Sequence, residues 1–310
     1  MDQKANPQLP IIDFTEDSLY PGSSSWILTS NEVRHAFEEY GCFVAVYDKI
    51  KMQMNKDVFR ASRELFDLPL ETKVKNVSDN IYYGYLKLPM IPLYESLGIR
   101  NATTSDGIRS FSNIMFPSGN DHFCKTMHLH ANQLSELEQM VARMVFESYG
   151  VEKHYESYAK IMTYLLRVMK YRLPQKGETN VGAHVHTDKS FITILHEDQA
   201  GGIEIRTKDN EWIAMKIPPY CYLVMAGDAL LAWSNDKIHS AFHQVIIRGE
   251  KERYSLGLFS FVNGIIEAPE ELVDEEHPRI YKPFHHYDLL DFYAKDDDHK
   301  TECTMKAYRL

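Results

Sequence analysis

A chain of 310 residues with 44% hydrophobic and 12% aromatic content can bury a substantial core in one large domain or two, which excludes a disordered or fibrous protein. A formal charge of −10 argues against a phosphate-backbone partner, which draws on clustered Lys and Arg, and so against nucleic-acid demethylation. The cysteines Cys42, Cys124, Cys221 and Cys303 are widely spaced without a Cys-x-x-Cys pair, so reduced structural thiols are expected in place of a zinc or redox motif.

The first residues carry no long apolar run, so no signal peptide is expected. Residues 9–14 read as a strand and 17–25 as a polar loop holding Pro21 and Gly22. Thr29, Ser30 and Asn31 offer caps for a helix with Val33, Ala36, Phe37 and Tyr40 on one face and a stop at Gly41. Residues 42–46 form a buried strand, and a helix from Met52 to Leu68 is closed by Pro69. Residues 76–117, rich in Gly, Pro, Tyr and Asn, read as an irregular connection with short elements. Ser118 or Asn120 caps a long helix reaching Gly150, and its His122, His128 and His130 are expected on its surface or flanks.

From Thr163 the pattern changes to short apolar runs at 165–171, 191–196, 203–207, 212–217, 222–226, 243–247 and 254–262. Even spacing of short strands predicts a β-rich sandwich or barrel. The polar turn at 248–252 predicts a hairpin between the last two. The most apolar region, 221–233, is interrupted by Gly227 and Asp228 and falls short of the roughly 18 residues of a membrane span. A cytoplasmic protein with no membrane partner is the consistent expectation. The tail, 286–310, reads as a terminal helix with Leu289, Leu290, Phe292 and Tyr293.

One stretch carries the chemistry: Ala183-His184-Val185-His186-Thr187-Asp188. Alternate residues of a strand share a face, so His184, His186 and Asp188 point the same way. His186 and Asp188 need a third ligand, for which His243 is the best candidate. Two histidines and a carboxylate form the facial triad of non-haem Fe(II) oxygenases and leave positions open. Ten residues after His243 stand Arg253 and Ser255, one face of an apolar run. A guanidinium fork beside a hydroxyl suits the far carboxylate of a dicarboxylic keto acid.

With these motifs the sequence resembles the plant 2-oxoglutarate- and Fe(II)-dependent dioxygenases, whose signature is His-x-Asp, a later His and Arg-x-Ser. The resemblance covers nearly the whole chain and is strongest toward the AOP clade, named for enzymes that oxidise glucosinolate side chains. It is carried by stretches such as Glu39-Tyr40-Gly41-Cys42-Phe43, Ile91-Pro92-Leu93-Tyr94-Glu95, Leu165-Leu166-Arg167-Val168-Met169-Lys170-Tyr171 and Ala268-Pro269-Glu270-Glu271-Leu272. It implies an α+β fold: a double-stranded β-helix, or jelly roll, with flanking helices. Residues 1–117 would form an N-terminal helical and mixed region, 118–285 the core with its backing helix, and 286–310 a helix over the active site.

The resemblance further implies iron on His186, Asp188 and His243, and 2-oxoglutarate gripped by Arg253 and Ser255. Tyr171 aligns with a family tyrosine that hydrogen-bonds 2-oxoglutarate. Met169 stands where the family has Asn, and Gln244 where an Arg usually follows the distal His. The implied reaction consumes O2, converts 2-oxoglutarate to succinate and CO2, and hydroxylates or desaturates a plant specialised metabolite, with ascorbate as a possible requirement. Asp188 opposes halogenation, since halogenases of this class lack that carboxylate. Phe191, Trp233, Tyr94 and Phe116 are the candidate aromatic walls for a small-molecule substrate, and a monomer is expected. Two rivals stay open. His184 and His186 also spell the His-x-His of a cupin, and the fold can serve a non-catalytic small-molecule binder. His184 otherwise lines the pocket or supports a ligand, and His239 is structural.

Overall fold

The computed structural model describes residues 8–295 and 304–310; the expectations for the first seven residues, for Cys303 and for the middle of the tail helix fall outside the described residues. After β1 (Ile11–Asp13), helix α1 (Ser24–Tyr40) starts well before the expected caps. Ser23, directly after the Pro21-Gly22 turn, accepts the Trp26 N–H on its hydroxyl at 3.1 Å and so fixes the start there. Gly41, at φ +69°, ends the helix and opens β2 (Cys42–Val46). Helix α2 (Met52–Phe66) stops before Pro69, and α3 (Leu70–Lys73) is a single turn.

Residues 76–117 hold more regular structure than their composition suggests: β3 (Tyr85–Leu86), β4 (Tyr94–Arg100) and α4 (Ser105–Met115). Gly98 obscures β4 in the sequence. A Cβ at that position would stand 2.6 Å from the Tyr83 carbonyl oxygen, so glycine lets the turn at Ile81–Tyr83 pack onto the strand. Asn120, one of the two expected caps, accepts the Phe123 N–H at 2.9 Å and starts α5 (Asp121–Ser148). Then follow α6 (Tyr155–Ile161), β5 (Met162–Tyr171), β6 (Val181–His186), β7 (Ile192–Glu197), β8 (Ile203–Arg206), β9 (Trp212–Met215) and β10 (Cys221–Ala226). The chain closes with α7 (Asp228–Trp233), β11 (His243–Ile246), β12 (Arg253–Val262), the short pair β13 (Ile265–Ile266) and β14 (Phe284–His285), and α8 (His286–Lys295).

Eight strands form one sheet in the order β1-β2-β10-β7-β12-β5-β4-β3, and four form a second, β6-β11-β8-β9. Strands from before Pro117 therefore complete the larger sheet. The expected hairpin of β11 with β12 does not form: β11 pairs with β6 and β8, whereas β12 pairs with β5 and β7. The turn at 248–252 carries the chain from one sheet to the other. Turn residues specify a reversal, not the strand that accepts the next hydrogen bonds.

Alternation sorts each strand's side chains into two cores. Phe43, Ala45, Val168, Tyr222, Val224, Leu256 and Leu258 pack with α1, α2, α4 and α5 on one face of the large sheet. Val44, Met169, Tyr171, Leu223 and Met225 face Ile203, Ile205, Ile213 and Val245 of the small sheet on the other. Each fully buried aliphatic side chain contributes roughly 1.5–3 kcal/mol relative to exposure. The fold is thus α+β in three layers, helices, large sheet and small sheet. No helix among the described residues is long and apolar enough to cross a membrane.

The helix-side core also encloses polar groups. His130, expected on a helix flank, is fully buried with its ring 5.1 Å from that of His196, and burial pulls its pKa down to about 3. Glu138 is likewise inaccessible, accepting from the Tyr164 hydroxyl at 2.8 Å and facing the Tyr158 hydroxyl at 3.5 Å. Burial pushes its carboxyl up to about 7, against hydrogen bonds from Tyr164, Ser260 and Tyr158 that lower it. The folded state therefore binds more protons than the unfolded one between the ordinary Glu range and about pH 7, and stability falls as pH rises through that window. Glu138→Gln removes the slope. Thermal melts at pH 5 and pH 8 should differ less for the variant than for the wild type. At pH 8 the variant should gain stability on the order of 1–3 kcal/mol. An unchanged pH slope would show that Glu138 is ionised throughout.

Candidate metal centre and co-substrate pocket

β6 ends on His186 and β11 begins on His243, and the antiparallel register sets these two residues opposite each other with ring centroids 4.2 Å apart. Asp188, two residues beyond β6, brings Oδ1 to 3.9 Å from His186 Nε2 and 3.8 Å from His243 Nε2. One ligand atom from each of the three lies within 4.8 Å of the others. The backbone fixes the tautomers: His186 Nδ1 donates to the His184 carbonyl at 2.7 Å and His243 Nδ1 to the Ala241 carbonyl at 3.1 Å. Both Nε2 atoms are left with a lone pair toward the centre.

The side chain of His186 keeps 32% of its surface accessible, yet the protein packed around it, and then the neighbouring His243, lower its pKa to about 4. It is a neutral ligand at neutral pH. Asp188 Oδ2 is buried with no hydrogen-bond partner among the described residues. A buried, unpaired carboxylate oxygen beside two imidazole lone pairs is costly unless a cation fills the space. The residues present therefore fit a divalent metal of the facial-triad type.

The loop carrying Asp188 is held from behind by groups that the sequence reading passed over. Lys189 Nζ donates to the Thr187 carbonyl, the Thr187 hydroxyl and Asp228 Oδ2, each at 2.8 Å. The Ser240 hydroxyl donates to Asp228 Oδ1 at 2.8 Å, and the Asp228 N–H to the Asp188 carbonyl at 2.8 Å. Gly227 makes this approach possible, since a Cβ there would meet the Ser190 carbonyl oxygen at 2.0 Å. The available signal was the Gly227-Asp228 interruption of an apolar run, read only as evidence against a membrane span. His286, at the start of α8, is also tied in: Nδ1 accepts the Val262 N–H at 2.9 Å and Nε2 donates to the Lys189 carbonyl at 2.7 Å.

The other end of the site lies on the large sheet. Register places Tyr94, Tyr171 and Arg253 in one row across β4, β5 and β12. The Arg253 guanidinium stands 4.9 Å from the Tyr171 ring centroid, and the Tyr171 and Tyr94 rings are 5.2 Å apart. Arg253 Nη1 donates to the Ser255 hydroxyl at 2.9 Å, while Nε and Nη2 donate to Glu197 Oε2 at 3.2 and 3.0 Å. Sequence reading missed Glu197. It ended the strand one residue earlier, at His196. Met169, where the family has Asn, accepts the Tyr171 hydroxyl on its sulfur at 3.9 Å. Gln244 donates to Glu204 Oε2 at 2.7 Å, and Arg248 pairs with the same carboxylate, so β11 keeps a cation nearby despite the departure at Gln244.

Three of the four expected aromatic walls stand elsewhere. Phe191 and Trp233 pack on Phe146 of α5, with centroids 6.5 and 4.4 Å away, and Phe116 packs on Phe123 at 5.1 Å. All three pack in or against the helix-side core, where large rings bury the most apolar area. Tyr94 alone lies in the row with Tyr171 and Arg253. The aromatic pair near the metal loop is Tyr82 with Tyr293 of α8, 5.5 Å apart, the Tyr293 ring lying 4.5 Å from Lys189 Nζ. His184 is exposed, donates to the Met90 carbonyl at 3.2 Å and stays outside the three-ligand cluster, which leaves the cupin reading without its second imidazole. His239 is half-buried, and its backbone N–H bonds the Phe37 carbonyl at the end of α1.

Comparison with known proteins agrees with this geometry. Residues 161–262 match the 2OG-Fe(II) oxygenase superfamily, and 9–90 match the N-terminal region described as a non-haem dioxygenase in morphine synthesis. The chain belongs to the 2-oxoglutarate- and Fe(II)-dependent oxygenases. It is of the plant AOP type: a probable 2-oxoglutarate-dependent dioxygenase of Arabidopsis thaliana, AOP1, is 46% identical over 93% of this chain and 97% of its own. The AOP2 dioxygenase of the same plant is 30% identical over 97% of each chain. Among solved structures, the rice dioxygenase for auxin oxidation superposes with a TM-score of 0.82 at 27% identity, covering 98% of this chain and all of its own. The Arabidopsis enzyme of that kind, in its 2-oxoglutarate complex, gives 0.79 at 26% identity over 88% of this chain and 100% of its own. The protein is an oxidoreductase whose cofactors are iron and 2-oxoglutarate.

Metal titration separates the ligands from their neighbours. Asp188→Ala and His243→Ala should each weaken binding of Co(II), an iron surrogate, by at least about a hundredfold in anaerobic calorimetry, while His184→Ala stays within about threefold of wild type. Comparable losses in all three would return His184 to the ligand set.

Proposed function

We propose that the enzyme hydroxylates or desaturates an unactivated C–H bond of a small plant specialised metabolite, with 2-oxoglutarate converted to succinate and CO2. The observation that carries this reading is the pairing of a largely buried two-histidine, one-carboxylate cluster on the small-sheet side with the Arg253–Ser255–Tyr171 group on the large sheet. His186, Asp188 and His243 hold the iron. Arg253, Ser255 and Tyr171 receive the distal carboxylate of 2-oxoglutarate. The finer topology belongs to the same reading: the strands of 118–285 form a double-stranded β-helix, to which 1–117 adds flanking helices and the outer strands of the large sheet, with the 286–310 segment covering the site.

When bound, iron and 2-oxoglutarate reduce O2 and supply the oxidising power, one oxygen atom leaving in succinate and the other reaching the substrate on hydroxylation. The chain's own residues bind, orient and exclude water. Lys189 and Asp228 fix the loop that presents Asp188, and the backbone carbonyls of His184 and Ala241 hold the two rings in their ligating tautomer. Tyr82 and Tyr293, with Tyr94, form the aromatic roof under which a substrate is oriented. The likeness to enzymes named for auxin oxidation supports a guest of about that size. The uncrosslinked Cys42, Cys124 and Cys221 support residence in the cytosol, and we take the monomer as the working unit.

Anaerobic addition of Fe(II) and 2-oxoglutarate should produce the weak visible charge-transfer band of the chelate. In Arg253→Ala the 2-oxoglutarate needed for half the band should rise at least tenfold. Succinate release against a metabolite panel then identifies the substrate, and Asp188→Ala should abolish it. Ligand binding with no succinate from either form would favour a non-catalytic binder on the same fold.

A further inference from the structure

Glu197, at the end of β7, is the carboxylate nearest the chemistry of Arg253. Its Oε2 accepts from Arg253 Nε and Nη2 at 3.2 and 3.0 Å, and its Oε1 accepts the Ile217 N–H at 3.0 Å. The side chains are 2% and 0% exposed. The next acid along the chain, Asp198, turns to Arg63 at 3.7 Å. One edge of the guanidinium is thus occupied by a carboxylate, while Nη1 lies beside the Ser255 hydroxyl and the guanidinium carbon stands 4.9 Å from the Tyr171 ring centroid. The pocket is charge-compensated before any co-substrate arrives.

We propose that Glu197 is a positioning residue that aims the Arg253 fork and, by its charge, weakens the site's hold on the distal carboxylate shared by 2-oxoglutarate and succinate. The inference rests on the reading that Arg253 receives that carboxylate. Two effects compete. A fixed fork loses less rotamer freedom on binding, which favours affinity. A second carboxylate on one guanidinium is repelled by the first, at a separation of about 6 Å and an effective dielectric of about 20, by an amount equivalent to roughly ten- to hundredfold in affinity. Repulsion wins. The functional result is a site that binds its co-substrate loosely enough to release succinate after each turnover, the product having the same distal group and one chelating group fewer.

Glu197→Gln keeps an acceptor for the guanidinium and removes the charge. In calorimetric titrations of the Mn(II)-loaded protein under anaerobic conditions, it should bind 2-oxoglutarate and succinate tenfold or more tighter than wild type, by a similar factor for each, since only the distal end is altered. Arg253→Leu should weaken both by at least tenfold. Unchanged or weaker binding of both ligands by Glu197→Gln, with the loss in Arg253→Leu intact, overturns the proposal. Wild-type affinity in Arg253→Leu instead overturns the assignment of Arg253 beneath it. A measurement that needs no variant uses 2-oxoglutaramate, which carries an amide in place of the distal carboxylate. A compensated arginine predicts less than about a tenfold loss against 2-oxoglutarate in the wild type, and a loss near a thousandfold overturns the proposal.

Discussion

Lys189 and Asp228 form an ion pair whose side chains are 5% and 4% exposed, and the iron end of the site is suspended from it. A buried pair of this kind is weak evidence for stability, because desolvation offsets much of the attraction. Its value is in location. Asp228 gathers the Lys189 ammonium and the hydroxyls of Thr187 and Ser240, and its backbone N–H holds the Asp188 carbonyl. Loss of either partner strands a charge at a cost of about 3–5 kcal/mol, so the loop has one low-energy arrangement. Asp188 itself takes no part in the network through its side chain. Its carboxylate is left for a cation because its backbone is so thoroughly held.

The two ends of the site solve opposite electrostatic problems on opposite sheets. At the metal end, two imidazole nitrogens and a carboxylate oxygen without a hydrogen-bond partner among the described residues converge on a place suited to a cation. At the far end, Arg253 is paired with Glu197, which makes a deeply buried guanidinium tolerable in the absence of ligand. The turn at 248–252 brings these ends together. By crossing from the small sheet to the large one it sets His243 and Arg253, ten residues apart in sequence, on facing layers instead of neighbouring strands. A hairpin there would have put both on one surface, with no cavity between them for a molecule to span.

How much of this the sequence disclosed follows from the range of each signal. His186 and Asp188 stand out because ligand chemistry requires particular residue types at short spacing, and His243 because it lies ten residues before the Arg253–Ser255 motif, itself a candidate on the same ground. Lys189 and Asp228, 39 residues apart, become partners only once β10 and the loop after β6 meet, and no local pattern announces that. Glu197 was hidden in the same way, 56 residues from Arg253. β4 and α4 were obscured by composition, since Gly98 counts against a strand until the Tyr83 carbonyl beside it is known. Phe191, Trp233 and Phe116 misled for a plainer reason. An aromatic ring marks burial of any kind, and the helix-side core offered more of it than the cavity.

Helix α8 is coupled to the metal-binding loop through one ring. His286 accepts the Val262 N–H on Nδ1 and donates from Nε2 to the Lys189 carbonyl, so it joins the end of β12, the start of α8 and the loop bearing Asp188. Only a neutral imidazole can do both, because a protonated ring has no acceptor to offer. Burial keeps it neutral, lowering its pKa to about 4. The first turn of α8 is therefore fixed to the same residue, Lys189, whose side chain secures Asp228 and lies against Tyr293 further along the helix.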